Sequence, residues 1–281
     1  MQPILFQIDT AIVSSYSFML SLSFVLGSLL FVALLRSQNI SINKLFGLII
    51  LIQVSAIVGS RFLYVVNNYE QFESDFVNVF SISPGGFALN GGLFFVVFLS
   101  FLYIKLNKLS FWNISDYAAP PLAIGITITK IGCFLAGCCY GTETSLAWGV
   151  QFPAQSIPTQ HYGISHQIHP AQLYEAMSGI FFIIALLIIF KRRKFEGQMF
   201  LLFIMSYLGV RILNDFVRGD AVNNYFFSLS QTQFLSVVFL LIALVFYWLQ
   251  SRNIKISLSS KTLLYIEDRK NRIKRVTKIQ Y

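Results

Sequence analysis

The sequence predicts an all-α polytopic membrane protein with seven transmembrane helices, its N-terminus outside and its C-terminus cytoplasmic. Composition sets the class. Of 281 residues, 56% are hydrophobic and only 12% charged, against roughly 25% charged in soluble domains. Segmentation sets the count, because seven apolar stretches each approach the roughly 20 residues that cross ~30 Å of hydrocarbon. Loop charge sets the orientation, because Lys and Arg gather in every second connection.

The stretches are about 11–35, 45–66, 87–104, 117–136, 172–190, 197–214 and 231–250, which makes residues 1–251 a membrane domain. Met1–Asp9 is polar and has no basic run, so it does not read as a cleavable signal peptide. Ala11–Leu35 carries no charge over 25 residues and serves as the first span. Pro120 and Pro121 mark the start of the fourth, where proline is tolerated. Arg36 and Lys44 flank the first connection, Lys105 and Lys108 the third, and Lys191 to Lys194 the fifth. The second carries Glu70, Glu73 and Asp75. From Arg252 to Tyr281 nine Lys and Arg stand against Glu267 and Asp268. This basic cytoplasmic tail suits anionic lipid. No other feature supports nucleic-acid binding, and neither a nucleotide motif nor a pattern requiring a metal or another cofactor is present.

Six polar or charged residues lie inside apolar stretches: Arg61, Asn90, Lys130, Glu175, Arg211 and Asp215. A charge in hydrocarbon costs at least ~2.5–3.5 kcal/mol, so it is functional by default. With the orientation above, all six fall at the outer face. Arg211 and Asp215 are four residues apart on one helix face and can pair. Gln172, Tyr174, Asn214 and Arg218 add polar groups nearby. Snorkelling to the headgroups is the plain alternative for Arg61 or Lys130 taken singly. As a set, the cations suit a phospholipid phosphate, and an Arg fork can engage two of its oxygens. Glycines at 85–86 and 91–92 flank the third span. They permit close backbone approach to a ligand, or equally a turn and tight helix packing.

All three cysteines fall within Lys130-Ile-Gly-Cys-Phe-Leu-Ala-Gly-Cys-Cys-Tyr-Gly141. Three readings are open. They are small side chains for close packing, a disulfide from Cys133 to Cys138 or Cys139, or a reactive thiol or metal ligand favoured by Lys130. His161, His166 and His169 follow, but their spacing matches no standard zinc pattern. His169-Pro170 reads as a helix-start device, or His169 and Glu175 as an acid–base pair across the interface.

Taken together, Asn90-Gly-Gly-Leu93, the segment 130–141, His-Pro-Ala-Gln-Leu-Tyr-Glu at 169–175, Gly197-Gln198 and Tyr207-Leu-Gly-Val-Arg-Ile-Leu-Asn-Asp-Phe-Val-Arg218 resemble the prolipoprotein diacylglyceryl transferases of bacterial inner membranes. The resemblance implies a multi-pass enzyme of lipoprotein biosynthesis. It would move a diacylglyceryl group from phosphatidylglycerol to the thiol of a lipoprotein-precursor cysteine and release glycerol 1-phosphate. It puts Arg211 on the lipid phosphate, oriented by Asp215, with Lys130, Cys138 and His169 as further catalytic candidates. Arg61, Asn90, Gly91, Gly92, Cys133, Tyr174, Glu175 and Arg218 are its substrate-binding candidates.

The family signature, Gly-Arg-x-Gly-Asn-Phe-x-Asn-x-Glu-x-x-Gly, is altered here. Thr129-Lys130 replaces Gly-Arg, Cys133 and Ala136 replace the two Asn, and Cys138 replaces Glu. Gly132, Phe134 and Gly141 remain, and Asn90 stands where many members have His. These departures leave two alternatives: a related phospholipid-dependent transferase or thiol-relay enzyme with another acceptor, and a non-catalytic lipid-binding protein.

Overall fold

The computed structural model describes residues 2–8, 11–38, 40–73, 76–80, 86–163, 165–220, 225–226 and 229–252. The basic tail from residue 253 onward, Asp75 and Gly85 lie outside the described residues. Among the described residues, eight α-helices follow in order: α1 (Ser15–Leu35), α2 (Ile42–Asn67), α3 (Leu89–Leu106), α4 (Phe111–Ala136), α5 (Ile157–Tyr162), α6 (Ala171–Ile189), α7 (Gln198–Asp215) and α8 (Gln231–Arg252). Two short hairpins accompany them, β1–β2 (Ile4–Ile8 and Ala11–Ser14) and β3–β4 (Tyr225–Phe226 and Leu229–Ser230).

Among the described residues, six helices are long and apolar enough to cross a membrane: α1, α2, α3, α4, α6 and α8. Their large apolar side chains face outward, including Ile57, Phe62, Phe98, Phe181 and Ile188. Water would not tolerate so much continuous apolar surface, whereas lipid covers it. The protein is therefore a polytopic membrane protein. The remaining long helix, α7, is not among the six, because Gln198, Arg211, Asn214 and Asp215 share its 18 residues.

Two boundaries depart from the sequence reading. Residues 11–14 pair with β1 instead of opening α1, with Phe6 opposite Val13 and Ile8 opposite Ala11. A short apolar run with β-branched Ile12 and Val13 serves a strand as well as a helix. The fourth span begins at Phe111, so Pro120 and Pro121 lie inside it. Each proline removes one helical N–H, which withdraws the i–4 partner from the Asp116 and Tyr117 carbonyls.

The chain forms two compact units, one of residues 28–114 and one of residues 1–27 with 115–281. In the 28–114 unit α2 packs on α3 through glycines. A Cβ on Gly59 would lie 2.7 Å from the Gly91 carbonyl oxygen, and one on Gly92 would lie 2.8 Å from that of Ala56. Contact this close suits small residues in lipid, where van der Waals packing drives helix association.

In the other unit α4, α6 and α7 enclose a core of Ala119, Ala123, Phe182, Leu186, Met199 and Phe203. Asp116, fully buried on α4, closes one end of it. Its carboxylate accepts hydrogen bonds from the backbone N–H of Gly197 (2.8 Å) and Phe200 (3.0 Å), and lies 3.2 Å from the Arg193 guanidinium. Gly197 sits at the N-cap of α7 with φ 90°, a conformation that glycine adopts without strain. The carboxylate thus caps α7 from a neighbouring helix and meets its positive dipole end.

Removing this carboxylate strands the Gly197 and Phe200 donors and takes the Arg193 guanidinium's carboxylate partner from it. Asp116→Ala is expected to cost on the order of 3 kcal/mol of stability, read as a lower Tm in detergent. Asp116→Asn, which keeps one acceptor oxygen, should cost less. An unchanged Tm for Asp116→Ala would refute the capping role.

Candidate active site

The site of the larger unit is built on the closeness of α4 and α6. A Cβ on Gly179 would come within 3.1 Å of the Ala123 carbonyl oxygen and 3.2 Å of the Thr127 nitrogen. One turn before Gly179 on α6 is Glu175. Close to one turn after Thr127 on α4 is Lys130. The tight crossing therefore brings the two side chains together, with Lys130 Nζ 3.0 Å from Glu175 Oε2. From α7, Arg211 donates to Glu175 Oε1 at 3.0 Å and Asn214 Nδ2 donates to the same oxygen at 2.8 Å. Glu175 is 1% exposed. It is the hub of the cluster, an anion whose burial is tolerated because three donors on two other helices converge on it.

Asp215 pairs with Arg211 across one helical turn, as its spacing suggests, but loosely, and it has a second partner. It approaches Arg211 NH2 only to 4.0 Å, while its Oδ2 accepts from the Ser230 hydroxyl. Arg211 is consequently fixed at NH1 by Glu175 and only loosely engaged at NH2. Among the described residues, the buried oxygens Gln172 Oε1, Asn214 Oδ1 and Asp215 Oδ1 have no hydrogen-bond partner, and Glu175 Oε2 meets Lys130 as an ion pair. The set is also less cationic than the sequence implies, since Arg218 forks onto Asp220 at 2.9 and 3.0 Å.

A short mesh of backbone bonds carries the 137–170 connection back to this cluster. Gly141 N–H donates to His169 O (3.1 Å), His169 N–H to Thr142 O (2.9 Å), Thr142 N–H to Val217 O (2.8 Å) and Gly219 N–H to Tyr140 O (3.0 Å). Gln172, wholly buried in the first turn of α6, donates to the Cys138 carbonyl at 2.7 Å. His169 meets the Tyr174 hydroxyl at 3.1 Å, and Trp148 donates to that hydroxyl at 2.9 Å. His169 thus turns to Tyr174, while every oxygen of Glu175 is engaged elsewhere. An open apolar groove of about 690 Å³ lies beside it, lined among others by Leu146, Trp148, Leu173 and Met177.

The three cysteines converge. Gly137 (φ 80°) and Cys139 (φ 58°) are both left-handed and fold the chain back after α4, so the three Sγ atoms lie within 4.8 Å of one another. All three are free thiols. Hydrogen bonds from Cys133 and Cys138 push the Cys139 thiol well below its ordinary pKa, against partial burial, and Lys130 and Arg218 add to the effect. His166 pairs with Glu143 at 3.1 Å on the surface and His161 packs on Tyr162, so neither joins the thiols.

Four candidates belong to the 28–114 unit. Arg61 donates to the carbonyls of Val79 (2.9 Å), Gly86 (2.9 Å) and Asn78 (2.6 Å), which ties down the connection after α2. Asn90 is exposed on the first turn of α3. Gly91 and Gly92 are buried in the α2–α3 crossing, where tight packing accounts for them.

The model of the family described as prolipoprotein diacylglyceryl transferase matches residues 3–249. The chain belongs to the prolipoprotein diacylglyceryl transferase family. The resemblance carried by residues 90–218 is thereby borne out, and with it the expectation of a transferase. A phosphatidylglycerol–prolipoprotein diacylglyceryl transferase of Clostridium botulinum strain Langeland is 28% identical over 248 residues, 88% of this chain and 96% of that protein. Its namesake from Finegoldia magna is 27% identical over 231 residues, 82% of this chain and 88% of that protein. A Clostridium perfringens protein named phosphatidylglycerol–prolipoprotein diacylglyceryl transferase 2 is 28% identical over 233 residues, covering 83% and 89%.

The sequence alone does not single out Asp116, Asn214 as a Glu175 ligand, or Ser230. Asp116 is an acidic residue within a stretch that turns out to be helical, and that was the one available signal.

Proposed function

We propose that this transferase moves the diacylglyceryl group of phosphatidylglycerol onto the thiol of a lipoprotein-precursor cysteine, at the outer leaflet of a bacterial cytoplasmic membrane. The observation that carries the reading is the state of Arg211: NH1 is anchored 3.0 Å from a buried carboxylate and, among the described residues, NH2 meets Asp215 no closer than 4.0 Å. A guanidinium held by one edge and open at the other suits the phosphate of the leaving glycerol phosphate. Its charge would be worth several kcal/mol as the ester bond breaks. Lys130 supplies a second cation, and Glu175 positions both.

In this reading α7 is the seventh crossing, with its polar residues facing the site rather than lipid. The N-terminus is outside, residues 1–251 form the membrane domain, and the basic stretch 252–281 is a cytoplasmic tail. The alternation of basic connections supports that orientation. The apolar groove beside His169 suits an acyl chain, and the loop that carries His169 and Cys138 faces the acceptor thiol.

The test is a transfer assay with purified protein in detergent, phosphatidylglycerol labelled in its acyl chains, and a peptide bearing a lipobox cysteine. The expected product is a peptide heavier by one diacylglyceryl group in thioether linkage, absent when the cysteine is replaced by serine. Labelled lipid that stays bound without product would overturn the choice of acceptor.

A further inference from the structure

We infer that Cys133, Cys138 and Cys139 form a zinc site whose fourth coordination position receives the acceptor thiol. The inference rests on the transferase reading and concerns the step that reading leaves without a base, since Asn90 and Cys138 occupy the positions of the family's His and signature Glu.

Three thiolates around one zinc at about 2.3 Å place their sulfurs about 3.8 Å apart. The three Sγ atoms here already lie within 4.8 Å of one another, so small side-chain rotations complete the set. The convergence is imposed by the backbone. Cys139 holds φ 58° two residues after Gly137 at φ 80°, and a non-glycine residue in that region is strained. Close packing alone does not call for such a turn. Among the described residues no His, Asp, Glu or further Cys joins the group. Three protein ligands and an open position is the arrangement of zinc sites that act on substrate, whereas purely structural sites are closed by a fourth.

Charge agrees. Zinc with three thiolates carries one net negative charge, and a fourth thiolate makes it two. Lys130 and Arg218 act on Cys139 and moderate that charge, each shared with its own carboxylate, Glu175 and Asp220. A coordinating thiol is deprotonated outright. The step then balances: the acceptor S–H loses its proton to water on binding zinc. Its sulfur lone pair forms a bond to the glyceryl carbon that bears the phosphate ester. The carbon–oxygen bond breaks, and glycerol phosphate leaves with the electron pair. Nothing is oxidised or reduced.

The experiment uses the full-length protein in detergent. Bound zinc is measured by elemental analysis, and the exchanged cobalt protein is followed through its thiolate-to-cobalt absorption. The expected result is one ion per chain, lost in Cys133→Ser and in Cys139→Ser. The cobalt spectrum should change on adding the lipobox peptide and not its Ser analogue. Chelation should lower transfer by roughly 10²-fold, the scale of a lost general base, with zinc restoring it. Protein that retains no metal after equilibration with zinc, or that contains a disulfide among these cysteines, overturns the site. Full transfer by metal-free protein overturns the inference and leaves the transferase reading standing. A cobalt spectrum that responds to the Cys peptide without product from phosphatidylglycerol does the reverse.

Discussion

Arg211→Ala is expected to reduce diacylglyceryl transfer by at least about 10³-fold, or ~4 kcal/mol of transition-state stabilisation. The geometry confines the loss to chemistry. Glu175 keeps Lys130 at 3.0 Å and Asn214 at 2.8 Å in the variant, so the hub stays neutralised and the fold survives. Binding of intact lipid engages acyl chains as well as phosphate, whereas charge on the departing phosphate grows only as the ester bond breaks. The loss should therefore appear mainly in kcat and much less in KM. Arg211→Lys keeps one charge and forfeits the fork, so it should fall between the two. A variant with Arg211→Ala and wild-type kcat would remove this residue from the reaction.

Much of the architecture is legible because lipid imposes simple rules. Long apolar runs locate the spans, and Lys130, Glu175 and Arg211 stand out as charges inside such runs. The structure does gather these three around one point. The connections among residues were harder to read. The spacing of Arg211 and Asp215 fits a helix-face pair, yet Glu175, 36 positions away, is the closer partner. Contacts between helices are set by which faces the crossings bring together, as Gly179 against Thr127 does for Lys130 and Glu175. Asp116 escaped notice for the same reason, since its partners lie 81 and 84 residues on. The run Trp112 to Asp116 looks like a connection and Pro120-Pro121 looks like a beginning, so the first turns of α4 are not legible in the sequence. The cysteine cluster depended on two left-handed residues, Gly137 and Cys139. A glycine announces that conformation and a cysteine does not.

Glu175→Gln should cost about 3–5 kcal/mol of stability, the largest folding effect expected of any single substitution in the cluster. Glutamine preserves shape and one acceptor for Asn214, but Lys130 and Arg211, only 15% and 16% exposed, lose their shared counter-charge. Here the sign of a double substitution separates two accounts. If Glu175 contributes ordinary hydrogen bonds, adding Lys130→Gln removes one more favourable contact and the protein becomes less stable. If the cost is uncompensated buried charge, Lys130→Gln removes half of it, and Arg211 retains Asp215 at 4.0 Å. The double variant should then be more stable than Glu175→Gln alone, with a coupling of about 2 kcal/mol. Thermal unfolding of the four proteins in one neutral detergent measures this directly. An additive or worse double variant would mean that Glu175 is not the charge that holds the two cations in place. Phosphatidylglycerol added to Glu175→Gln should restore more stability than a neutral lipid does, because its phosphate offers Lys130 and Arg211 the counter-charge that the glutamine lacks.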